Sequence, residues 1–244
     1  MKRHLLLSMP SRLLPVDLPV VDKDAVKALN NEMTATLVKL LKKKQECHDP
    51  EMYYLHHSCS LEHLGSQVHD GDEIIIHGEG YPFLVGPNEL GPFTVTAKHL
   101  ADIINTAKIP DLNLNLQLLT CNSATSYENS NFARDLSRAL YYCYDYKNIS
   151  VTGYTGFIES KSNAKYTVAS TLSGRLTKGT HASLSKAAKT YKNGRLIDAG
   201  GIVLIESLSD IGDSWAGFFI SKTKAEREEV KLARLAKKNN GATL

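Results

Sequence analysis

The chain has no apolar run near the ~20 residues that a membrane-crossing helix needs, so no membrane span is expected. It also lacks a disulfide framework. Cys47, Cys59, Cys121 and Cys143 follow no framework spacing, and in 244 residues they read as reduced thiols of a cytoplasmic compartment. The opening, MKRHLLLSMPSRLLPVDLP, lacks the long core of a signal peptide: Leu5–Leu7 is too short, Pro10 and Arg12 interrupt it, and no small-residue cleavage site follows. Residues 1–21 read as an arm. No internal repeat is visible. Zinc spacing is missing too. Five of the nine histidines (His48, His56, His57, His63, His69) fall in the stretch from Cys47 to His69, yet neither CxxC nor HExxH occurs there. No metal is expected, and the stretch reads as a solvated loop around a strand at Met52–Leu55. Net charge is small outside one segment. The net charge is +3, but Lys222–Lys238 alone holds seven Lys or Arg against three Glu, so the rest is nearly neutral. No nucleic-acid partner is expected, and an anionic partner belongs at the basic segments.

What is present is enough apolar residue, 42% against 23% charged, for a sizeable core. Two stretches organise it. Asp72–Gly80 reads DEIIIHGEG and Leu114–Ala124 reads LNLQLLTCNSA. Short apolar runs of this kind predict buried strands of a parallel sheet. The first ends at His77 and the second at Cys121. Between them, Thr94 or Thr96 caps a helix with Ala97, Leu100, Ala101, Ile104 and Ala107 on one face, closed by Pro110. Ser130 is expected to cap a further helix whose stripe includes Phe132, Leu136, Ala139, Leu140 and Cys143. That placement makes Cys143 a core residue. A third strand starts at Ile149 and ends in Gly153-Tyr154-Thr155-Gly156. A fourth is expected over Ala199–Glu206 and a fifth over Ala216–Ile220. An earlier helix is expected from Asp22 to about Gln45, and Lys222–Lys238 reads as a solvated terminal helix. Strands alternating with helices predict an α/β fold with a mostly parallel central sheet and helices on both faces.

Ligands of such sheets bind at the carboxyl ends of strands. His77 and Cys121 would therefore meet in one crevice. An imidazole can take the proton of a thiol, and the thiolate can then attack an acyl carbon. The same imidazole protonates the leaving group. The oxyanion that forms needs backbone donors, for which the N–H groups of Gly78 and Cys121 are candidates. Each residue has a plainer reading, His77 as a hydrogen-bonded core histidine and Cys121 as a small buried hydrophobe. Those readings suffice one at a time; the pair, on strand ends joined by one crossover helix, favours catalysis. The chemistry requires no cofactor.

A strand ending His77-Gly78, a helix entered through Thr96, a strand ending Cys121-Asn122-Ser123-Ala124 and a later strand ending Gly153–Gly156 resemble the caspase-haemoglobinase superfold of cysteine peptidases, clan CD. Cys121 follows His77 by 44 residues, near the roughly 50 of the caspase pattern, although QACxG is absent. The likeness is greatest to the cysteine protease domains of bacterial autoprocessing toxins, and it covers about residues 70–160. The resemblance implies a caspase-like fold and a thiol protease acting on a protein or peptide. It assigns His77 as base, Cys121 as nucleophile, Gly78 and Cys121 as the oxyanion hole, and Gly153 and Thr155 as substrate-binding residues. It further implies a toxin or effector delivered to a host cytosol, and inositol hexakisphosphate as an activating polyanion on a basic surface. The plainer reading of those lysines, Lys186, Lys189 and Lys192 among them, is that they solvate the surface. Two alternatives stay open: a deamidase or amide ligase using the same dyad, and an inactive interaction module. The expected division is an arm, helix and His-rich loop over 1–69, a catalytic domain over 70–221, and a basic helix and tail over 222–244.

Overall fold

A computed structural model describes residues 1–8, 51–56, 58–81, 83–86, 94–126, 130–160, 166–169, 181–204 and 216–240. The helix expected over 22–45, together with Cys47 and His48, lies outside them. In chain order the elements are β1 (Arg3–Leu7), β2 (Glu51–Tyr54), α1 (Ser58–Gln67), β3 (Glu73–His77), β4 (Glu79–Tyr81), β5 (Leu84–Gly86), β6 (Val95–Thr96), α2 (Ala97–Thr106), β7 (Asn115–Leu119), α3 (Phe132–Tyr144), β8 (Ser150–Tyr154), β9 (Phe157–Ser160), β10 (Tyr166–Ala169), β11 (His181–Ser183), a single helical turn α4 (Leu184–Ala187), β12 (Ala188–Lys192), β13 (Arg195–Ala199) and α5 (Ala216–Asn240).

The chain is α/β, built on a seven-stranded sheet in the order β13-β12-β8-β7-β3-β1-β2. The five strands from β8 to β2 run parallel, and β12 and β13 close the other edge antiparallel. Alternation along the strands sorts the side chains. Leu6, Ile74, Ile76, Leu116, Leu118 and Val151 face one side, where Leu64 of α1, Leu100 and Ile104 of α2 and Phe132 and Leu136 of α3 meet them in one core. Ile74, Ile76, Leu116 and Leu118 are wholly buried, each contributing about 2 kcal/mol of apolar burial. The opposite face carries Leu5, Leu7 and Ile75, and over its Leu119 and Tyr154 lies a second, three-stranded sheet, β11-β10-β9.

The helix starts follow their side chains. Thr96 accepts the His99 N–H at 3.2 Å to open α2. For α3 the cap is Asn131, which accepts the Arg134 N–H at 2.9 Å; Ser130, the expected cap, instead hydrogen-bonds Asp135. α3 ends where Asp145 turns left-handed at φ 62°.

Four stretches differ from expectation. Arg3–Leu7, expected in an arm, is a strand between β2 and β3, so the division placed at residue 70 falls inside one sheet. The expected strand Ala199–Glu206 is displaced: β13 is Arg195–Ala199, and Gly200 and Ile202 instead donate to Ala188 and Lys186 carbonyls. The expected strand Ala216–Ile220 is the first part of α5. In the histidine-rich stretch the strand expected at Met52–Leu55 is β2, but the part expected as solvated loop holds α1, whose Leu61 and Leu64 are buried in the core.

At the amino ends of the parallel strands Asp72 is the staple. Its carboxylate accepts the N–H of Lys2 at 2.6 Å and of His69 at 3.0 Å, and it meets His4 Nε2 at 3.2 Å. Burial pushes this carboxyl up, but the hydrogen bonds from Lys2, His4 and His69 outweigh it and hold it below the usual range.

Candidate active site

The sheet order makes the site. β1 leads outward to β2, and β3 leads the other way to β7 and β8, so the strand order reverses between β1 and β3. A crevice outside the carboxyl ends at such a reversal is where open α/β sheets take ligands. The residues there are Ser8 after β1, His77 at the end of β3, and Thr120-Cys121 after β7.

His77 pairs in register with Leu7 on one side and Leu119 on the other, and Cys121 lies two residues past Leu119. The two expected catalytic residues thus stand at the carboxyl ends of neighbouring parallel strands. β4 follows β3 after one residue, and its Gly80 presses its backbone against Thr120 and Cys121. A side chain there would collide with the Cys121 main chain, so this position requires glycine. Gly78 is equally constrained: a Cβ would run into the Ser8 side chain.

Cys121 opens a sharp turn. Asn122 takes the left-handed conformation at φ 53°, which asparagine tolerates better than most residues. Its N–H donates to the Gly156 carbonyl at 2.7 Å, and its Oδ1 accepts from Thr125 Oγ1 at 3.1 Å. Ser123 Oγ donates to the Thr120 carbonyl at 3.1 Å and accepts the Tyr154 N–H at 3.0 Å. The turn is bolted to β8. It resembles in outline the strand-to-turn elbow that presents a nucleophile in α/β-hydrolases.

The second sheet reaches both members of the pair. The Ile158 N–H, on edge strand β9, donates to Cys121 Sγ at 3.3 Å, and Tyr166 Oη, on β10, lies 3.4 Å from His77 Nε2. Burial lowers His77 to about 4, so its imidazole is neutral at physiological pH. Burial raises the Tyr166 phenol to about 12.

Three buried polar atoms gather at this end without a hydrogen-bond partner: Ser8 Oγ, Thr120 Oγ1 and His77 Nδ1. Unsatisfied buried groups are uncommon in folded proteins, and each calls for a physical reason.

The residues expected to bind substrate have partners within the protein. Gly153 packs against Ala133 and Ser123, bracing the turn after Cys121. Thr155 is fully buried; its N–H donates to the Ala187 carbonyl at 3.2 Å, and its Oγ1 accepts the Leu204 N–H at 3.3 Å. Of the lysines considered for a polyanion, Lys189 and Lys192 stand on opposite faces of β12 by their spacing. Cys143 sits half-buried on α3 against the core. Among the described residues no group of three His, Cys, Asp or Glu could hold a metal, and no helix is long and apolar enough to cross a membrane.

Sequence reasoning missed Tyr166 and Ile158. They lie within 158–198, rich in Ser, Lys and Thr, where strands of three to five residues leave little periodic signal. The signal for Asn122 was its type, since asparagine after a strand end favours a left-handed turn. No protein-family model matches the chain, and no curated protein matches it.

Proposed function

We propose that this chain is a cysteine peptidase that cleaves peptide bonds through His77 and Cys121. The observation that carries the reading is the juxtaposition of these residues on neighbouring parallel strand ends, with Cys121 opening a left-handed turn. A neutral His77 acts as general base: it takes the thiol proton as Sγ attacks the scissile carbonyl. The N–H groups of Gly78 and Cys121 are the donors proposed for the oxyanion. The imidazolium then protonates the departing amine, and water, deprotonated by the regenerated base, releases the acyl group. The toxin-domain resemblance adds a protein substrate in a host cell's cytosol.

A panel of peptidyl acyloxymethyl ketones, varied at the residue beside the ketone, tests the reading by intact mass. The expected result is one adduct per chain, mapped to Cys121 and lost in Cys121→Ala and in His77→Ala. No adduct across the panel, with Cys121 still open to iodoacetamide, would sink it. A peptide substrate whose acyl group passes only to added amines, with no hydrolysis product, would select an amide ligase instead.

A further inference from the structure

We propose that Tyr166 is a positioning residue for the dyad: its hydroxyl oxygen accepts the Nε2 proton of His77 and so fixes the tautomer whose Nδ1 takes the proton of Cys121. This rests on the reading of His77 as the base for Cys121.

A neutral imidazole has one N–H and one lone pair, and only the lone pair can act as a base. Burial keeps His77 neutral at physiological pH, so the choice of tautomer decides whether the dyad works. Tyr166 Oη stands 3.4 Å from Nε2. Such contacts are often long before substrate binds and tighten afterwards. Nδ1 is buried and has no hydrogen-bond partner. With the proton on Nε2, that unpartnered atom is the lone pair left for the thiol. When Sγ gives up its proton, the bond S–H breaks and Nδ1–H forms. The resulting imidazolium keeps its Nε2–H on Tyr166, a charge-assisted bond stronger than the neutral one.

The fold supplies a reason for tyrosine at this place. β9 and β10 are neighbours in the second sheet, with Ile158 opposite Val168 and Ser160 opposite Tyr166. One strand holds the thiol through the Ile158 N–H while the next holds the imidazole through Tyr166. The ring of Tyr166 packs at a tilt to His77, centroids 6.4 Å apart. Phenylalanine can keep that packing and lose only the oxygen.

The test uses the full chain labelled with ¹⁵N-histidine, comparing wild type, Tyr166→Phe, His77→Gln and the double variant. Two-bond ¹H–¹⁵N spectra read the His77 tautomer, assigned by the signals absent from His77→Gln. Wild type is expected as the Nε2–H form, and Tyr166→Phe as an average of both forms. The rate of Cys121 carboxamidomethylation by iodoacetamide at pH 7 is expected to fall about tenfold in Tyr166→Phe, from the lost tautomer preference together with the lost charge-assisted bond to the imidazolium, short of the roughly 10²–10⁴ that a base is worth in full. It should fall no further when the change is made on His77→Gln. An Nδ1–H tautomer in wild type would overturn the proposal. So would an equal rate loss on both backgrounds, the mark of a merely structural tyrosine. Failure of the peptidase reading is separate: no ketone adduct, with the tautomer shift intact, would remove the peptidase and leave the positioning role.

Discussion

His77 has a measurable signature that does not depend on any substrate. Its folded value of about 4 lies below the ordinary 6.5 because burial penalises the charged ring. Above pH 6.5 neither the folded nor the unfolded chain holds a proton there. As pH falls below that value the unfolded chain takes one up and the folded chain does not. Stability should therefore decline by roughly 3 kcal/mol between pH 6.5 and pH 4. Urea melts at stepped pH should show that share of the decline missing from His77→Gln. Asn122 offers a second test. Its left-handed backbone costs most residues about 1–2 kcal/mol, so Asn122→Ala should destabilise by that much, whereas Asn122→Gly should keep the turn. Thermal melts of the two side by side check the order. The cysteines divide as well. Burial pushes the Cys143 thiol up, which makes it a poor nucleophile at neutral pH. Cys143→Ala should keep ketone labelling and cost about 1 kcal/mol of stability, while Cys121→Ala should lose labelling altogether.

At the scale of elements, the parallel strands are stapled by Asp72 at one end and carry His77 and Cys121 at the other. Asp72 joins the starts of β1 and β3 and lies buried against His4. Removing one member of a buried pair leaves the other exposed to its full desolvation cost, so Asp72→Ala should lose about 3 kcal/mol in denaturant melts. It sits at the opposite end of β3 from His77 and should leave the intrinsic reactivity of Cys121 unchanged in whatever fraction remains folded. The elements that carry the dyad were also the ones easiest to read. Ile74–Ile76 is three β-branched apolar residues in a row, Leu114–Leu119 alternates leucine with Asn115 and Gln117 and buries Leu116 and Leu118 on the core face, and α2 has a real threonine cap and a clear apolar stripe. Leu5–Leu7 is as apolar but is preceded by Lys2, Arg3 and His4, which looks like an arm. The strands of the second sheet were hidden for another reason. Tyr166–Ala169 and His181–Ser183 gain their burial from contact with Leu119 and Tyr154, a tertiary fact that no local pattern carries. Ala216–Ile220 is apolar enough for a strand, and the charged residues that continue the helix beyond it decided otherwise.

At the scale of the whole molecule, the sheet binds the two sides of residue 70 into one unit. A fragment starting at Asp70 would lack β1, β2 and α1 and expose the edge of β3. It should fail to unfold cooperatively in circular dichroism, whereas two separable domains would let it melt as a unit. α5 joins the fold differently: Lys237 lies 4.0 Å above the Tyr141 ring and pairs with Asp145, and Lys98 reaches Glu229 at 3.5 Å. These contacts are of modest strength, and Val230 of the same helix is buried in the main core. The place of β1 also has a consequence for the chain as it is made. Of the described strands, β1 is an interior one that is made before either of its neighbours, residues 51–54 and 73–77. Until residue 77 has emerged, Leu5, Leu6 and Leu7 have at most one strand to pair with, and translation at about 5–20 residues per second makes that wait several seconds. A growing chain therefore carries a sticky trio of leucines through that wait, a natural target for chaperones that meet chains at the ribosome exit.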